Sequence, residues 1–121
     1  MTPLRVGIVG CGEATQIMHL PSLRFLADLF VVTAVRDISP TFAETVGHDW
    51  NIPVRVDDPD LLVSRVDVDT VLVATPDAFH AEVALSAIEA GKHVLVEKPL
   101  CMTLRELDAI DESQRRTGVV A

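Results

Sequence analysis

The chain has 121 residues, 49% of them hydrophobic and 23% charged, which is enough apolar side chain for one packed domain and too much for disorder. A net charge of -8 argues against non-specific nucleic-acid binding, which needs basic surface to neutralise phosphates. No apolar run reaches the roughly 20 residues that cross a bilayer, and the short apolar stretch after Arg5 is broken by glycines, unlike a secretory signal.

In chain order, Leu4–Val9 predicts a buried strand, followed by the turn Gly10-Cys11-Gly12-Glu13-Ala14-Thr15 and a helix. In a dinucleotide site the first glycine makes this turn, the second lets backbone approach the pyrophosphate, and the third allows close helix–strand packing. The first two are present, and Thr15 stands where the third is expected. Its hydroxyl could reach a phosphate or cap a backbone amide, and the helix start supplies an anion site in either case. Taken alone, the turn is equally consistent with packing. For Cys11 there are two alternatives: a thiol activated by the helix start, or a small residue that fits a tight loop, the more economical of the two. Cys11 and Cys101 show no metal-ligand spacing, and two such thiols suit a reducing cytoplasm.

A second strand is expected over Phe30–Val35, ending in Arg36-Asp37. Asp37 lies 22 residues beyond Thr15, near the spacing at which an acid hydrogen-bonds the adenosine ribose. It would repel a 2′-phosphate, which favours NAD; Arg36 beside it keeps NADP open. Ser39-Pro40 and Asp58-Pro59 both predict an N-cap followed by proline at the first helical position. Phe42, Val46 and Trp50 fall on one helical face, and Asn51 can close that helix in the left-handed conformation. Val54–Val56 is expected as a short third strand and Thr70–Ala74 as a fourth.

The next turn, Thr75-Pro76-Asp77-Ala78-Phe79-His80, should line the cleft, because ligands of open α/β sheets bind outside the carboxyl ends of strands. Asp77 is expected to cap a helix carrying an Ala81, Ala84, Leu85 and Ile88 stripe, which Gly91 ends. His80, in the first turn of that helix, is expected to be neutral and hydrogen-bonding rather than an acid catalyst. The fifth strand, His93–Val96, runs into Glu97-Lys98-Pro99. Folding does not require charges there. Lys98 could orient a substrate hydroxyl or stabilise charge, and Glu97 could accept from a ribose or hold Lys98; the alternative is an exposed ion pair. Thr103 to Glu106 matches a capping box, its helix placing Leu104, Leu107 and Ile110 on one side. Arg115 and Arg116 complement its C-terminal dipole, and Gly118 stops it. Val119 and Val120 are expected to begin a sixth strand, so residues 1–121 are expected to be the first domain of a longer protein. Alternating strands and helices predict a doubly wound parallel α/β sheet.

The run "TPDAFHAEVALSAIEAGKHVLVEKPL" resembles the glucose–fructose oxidoreductase/inositol dehydrogenase (Gfo/Idh/MocA) family, as does Gly10-Cys11-Gly12 followed by His19-Leu20-Pro21. Asp77 replaces the family's more usual asparagine. The resemblance implies a Rossmann cofactor domain of a two-domain NAD(P)-dependent oxidoreductase acting on a sugar, cyclitol or related small molecule. By analogy, Gly10, Gly12 and backbone near Thr15 hold the pyrophosphate and Asp37 the adenosine ribose. Thr75, Pro76 and His80 then lie along the cofactor, Glu97 contacts the nicotinamide ribose, and Lys98 serves the reacting centre. The second domain is expected to carry substrate contacts and the homo-oligomer interface. His19 is expected to be structural, in a first helix kinked at Pro21. Two further functions share these residues: a non-catalytic redox sensor or scaffold, and a glycoside hydrolase using tightly bound NAD.

Overall fold

The computed structural model describes residues 2–121. Five strands, β1 (Leu4–Val9), β2 (Phe30–Arg36), β3 (Val54–Arg55), β4 (Thr70–Val73) and β5 (His93–Val96), form one sheet in the order β3-β2-β1-β4-β5. All four pairings are parallel. The helices are α1 (Leu20–Phe25), α2 (Pro40–Asp49), α3 (Pro59–Val63), α4 (His80–Glu89) and α5 (Leu104–Thr117). The chain reverses direction across the sheet between β1 and β4, which is where such folds open a ligand crevice.

Alternation along the strands divides the core into two layers. Val6, Ile8, Val35 and Leu72 pack with Leu20 of α1 and Val46 of α2. Val9, Ala34, Val71, Val73 and Val94 point the other way, onto Leu62 of α3, Ala87 and Ile88 of α4, and Ile110 of α5. Full burial of one such Val, Leu or Ile is worth roughly 2 kcal/mol. α1 and α2 leave β5 uncovered on their side, so Leu95 is 63% exposed.

The punctuation residues behave as their chemistry predicts. Ser39 and Asp58 accept the N–H groups of Phe42 and Asp60 at the starts of α2 and α3. Thr103 and Glu106 form the full capping box, and Asn51, Gly91 and Gly118 take positive φ. Other expectations change. Asp77 does not cap α4: a 3₁₀ turn, Asp77–Phe79, intervenes, closed by the Phe79 N–H on the Pro76 carbonyl at 3.0 Å. The Asp77 carboxylate is left exposed. Val119 and Val120 do not form a strand; two bonds tie Val120 to the sheet edge, from the Val94 N–H to the Val120 carbonyl at 2.9 Å and from the Val120 N–H to His93 Nδ1 at 3.0 Å. Leu104 and Leu107 share the face of Ile110 in sequence, yet only Ile110 is buried.

Candidate functional site

The glycine turn is built by contacts that leave little choice of residue. Gly10 has φ +107°, and a Cβ on it would sit 2.3 Å from the Ala74 carbonyl oxygen, so the backbone just after β4 excludes any side chain there. Around Gly12 nothing lies within 4 Å of such an atom, so the backbone is open to the cleft. The first donor into the helical ladder is the Gln16 N–H, bonded to the Gly12 carbonyl at 3.1 Å. The amides of Glu13, Ala14 and Thr15 before it therefore have no acceptor within the helix, which leaves three N–H donors together at the helix start.

Thr15 turns inward. It is fully buried, and its hydroxyl donates to the Gly10 carbonyl at 2.5 Å. Instead of facing the cleft, the side chain braces the first glycine from below. Cys11 is buried too, and its amide donates to Asp37 Oδ2 at 2.7 Å. Burial, with the Asp37 charge adding to it, pushes the Cys11 thiol up to about 12, which favours the small-residue alternative over an activated thiol. The other Asp37 oxygen accepts the Ser39 N–H at 2.7 Å. Two backbone bonds thus fix the carboxylate at the end of β2, leaving acceptor capacity on each oxygen.

A cavity of about 660 Å³ opens beside this turn. Its floor includes Gly10, Gly12, Ala74, Thr75 and Pro76, and Asp37 stands on its wall. Sequence reasoning missed the apolar walls, Ile38, Phe42 and Phe79, which are 80%, 49% and 50% exposed. The signal was available: aromatic residues directly after two turn signals, where the core stripe has not yet begun. Phe42, expected to pack with Val46 and Trp50, faces the cavity instead. Asp58, Asp60 and Glu82 also line it, and Arg36 is the one basic residue there, its Nε donating to the Asp57 carbonyl.

The turns after β4 and β5 are held together by His80. The ring is 1% exposed, with Nδ1 2.6 Å from the Pro99 carbonyl oxygen and Nε2 2.8 Å from that of Thr75. Both nitrogens are engaged, so His80 clamps two crevice loops and presents no free nitrogen to a ligand. The Thr75 hydroxyl is buried and has no hydrogen-bond partner among the described residues, an unusual state for a native polar group. Glu97 is held by His19 Nε2 at 2.5 Å rather than by Lys98. Lys98 is exposed and in no ion pair among the described residues. The structure thus brings Gly10, Gly12, Asp37, Thr75 and Pro76 to one cavity and places Glu97 and Lys98 outside it, at the end of β5.

Several proteins resemble this chain along nearly its whole length. A D-glucoside 3-dehydrogenase of Escherichia coli (strain K12) is 34% identical over 98% of the chain and 34% of its own length. A glycosyl hydrolase family 109 protein of Shewanella sp. (strain W3-18-1) is 33% identical over 97% of the chain and 27% of its own. The crystal structure of KijD10, a 3-ketoreductase from Actinomadura kijaniata in complex with NADP and TDP-benzene, superposes with a TM-score of 0.90 at 33% identity, over 98% of this chain and 36% of that one. The chain therefore spans about a third of the length of the proteins it matches. The profile of the Gfo/Idh/MocA group, described as an oxidoreductase family with an NAD-binding Rossmann fold, matches residues 4–121, and the chain belongs to that family.

Proposed function

We propose that this chain is the cofactor-holding part of an enzyme that moves a hydride between NAD(H) and a hydroxyl or carbonyl carbon of a sugar, cyclitol or related small molecule. The convergence of the glycine turn and Asp37 on one cavity carries this proposal: Gly10, Gly12 and Asp37 line the same cleft beside Thr75 and Pro76. The open backbone at Gly12 and the unpaired amides after it suit a pyrophosphate. Asp37 suits the adenosine ribose hydroxyls, and Ile38, Phe42 and Phe79 offer apolar walls for the base. The bound nicotinamide supplies the hydride chemistry. The chain's own part is to bind and orient it, with the Lys98 ammonium near the reacting centre. Two free thiols, Cys11 and Cys101, suit residence in the cytoplasm.

Asp37 and the acids at Asp58, Asp60 and Glu82 disfavour a 2′-phosphate, which supports NAD over NADP. Calorimetric titration of the 121-residue chain tests both points. NADH is expected to bind weakly and NADPH at least about tenfold more weakly, the loss of roughly 1.4 kcal/mol from one unfavourable charge contact. No heat at millimolar NADH would remove the site, and equal affinity would remove the preference.

A glycoside hydrolase using tightly bound NAD for transient oxidation is the second function, favoured by the 33% identity to the family 109 hydrolase. It needs the same residues, and the absence of net NADH formation during turnover distinguishes it.

A further inference from the structure

His19 and Glu97 lie 78 residues apart in sequence and meet at 2.5 Å, from the first helical segment to the end of β5. Three features make this contact specific. The π-helical turn Thr15–His19 ends at His19, and such wide turns inside helices concentrate at functional sites. Along β5, Val94 and Val96 face α4 and α5, so Leu95 and Glu97 fall on the α1 side. The Glu97 backbone is already fixed by its N–H on the Val73 carbonyl at 3.0 Å, leaving only the side chain to be oriented. The His19 ring is 18% exposed and the Glu97 side chain 29%, so the pair is mostly shielded.

A dinucleotide lies across the carboxyl ends of the strands. With its adenosine end over β2 at Asp37 and its pyrophosphate on the glycine turn, its other half passes over β4 and β5, where Glu97 stands. We infer that His19 is a positioning residue: it holds Glu97 Oε1 so that Oε2 can accept from the ribose on the nicotinamide side. This rests on the cofactor site proposed above. It also changes the role expected for His19 from packing to orientation, and it links the turn that grips the pyrophosphate to the residue that receives the other half of the same molecule.

NADH and ADP separate the two halves, because ADP lacks the nicotinamide riboside. Affinities of both for the 121-residue chain are measured with His19→Ala, Glu97→Gln and the double variant. His19→Ala and Glu97→Gln are each expected to weaken NADH about tenfold, as for a lost hydrogen bond to a charged group, with ADP unchanged and the double variant no worse than either single one. His19→Gln, whose amide reaches a similar distance, is expected to recover most of the loss. If Glu97→Gln weakens NADH and His19→Ala does not, the inference fails and the site stands. If neither moves NADH, the placement of Glu97 against the nicotinamide half fails as well. Equal loss of ADP and NADH in His19→Ala would make His19 a fold residue and overturn the inference. Should His19→Ala not fold, His19→Asn, too short to reach Glu97, carries the same comparison.

Discussion

Lys98 keeps its ammonium exposed at the end of β5, while the neighbouring Glu97 is occupied by His19. Its three N–H donors are therefore available to a substrate oxygen. On the hydride-transfer function proposed above, Lys98→Ala is expected to lower kcat about 100-fold, the scale of lost general acid–base assistance, without changing NADH affinity. Single-turnover hydride transfer measures this, and an unchanged rate would reduce Lys98 to a surface charge. That Asp37, Glu97 and Lys98 lie at strand ends is legible in sequence, because strand order and the position of each apolar run fix which ends face the crevice. Their partners are not legible. The amide of Cys11 on Asp37, the carbonyl of Pro99 on His80, and His19 on Glu97 are long-range contacts that no local pattern encodes.

Elements follow the same division. Helix caps are local, so Ser39, Asp58 and Thr103 could be placed from their neighbours alone. The α5 box joins the Glu106 N–H to Thr103 Oγ1 at 3.1 Å and the Thr103 N–H to Glu106 Oε1 at 3.0 Å. Thr103→Ala is expected to destabilise the fold by about 1 kcal/mol. A lower urea midpoint at an unchanged m-value would show it, and an unchanged midpoint would mean the box adds nothing beyond packing. The π turn before α1 and the 3₁₀ turn before α4 were not legible. In the first, the Thr15 hydroxyl is drawn to the Gly10 carbonyl; in the second, Phe79 faces the cavity and the buried His80 begins the helix. Both depend on what the rest of the fold places beside the segment. The two-residue β3 is likewise a tertiary outcome, its pairing limited to Ala34 and Val35 of β2.

At the scale of the whole molecule, the cavity opens at the carboxyl ends of the strands, and an ion pair closes the opposite end of the sheet. There Arg5 of β1 and Asp69, just before β4, are joined by guanidinium bonds of 3.0 and 2.8 Å, with Asp69 also accepting the Arg5 N–H. These bonds, the side-chain ones foremost, hold the Asp69 carboxyl down at about 2, against an ordinary 3.8. A depressed carboxylate stabilises the fold above its unfolded value, and that contribution is lost as pH falls from about 4 through about 2. Asp69→Asn is therefore expected to be less stable at neutral pH and to show a flatter acid limb over that window, with NADH affinity unchanged. Denaturation midpoints across pH measure it, and identical acid limbs would show that Asp69 is not coupled to folding.

The position of β1 at the centre of the sheet also bears on synthesis. Leu4 precedes Thr70 by 66 residues, so at ordinary elongation rates β1 waits roughly 3–13 s on the ribosome before its second neighbour exists. During that interval Val6, Ile8 and Val9 can pair only with β2, and one edge of β1 is bare. Glu97 and Lys98, which follow β5, emerge only after β4 has become available to cover that edge.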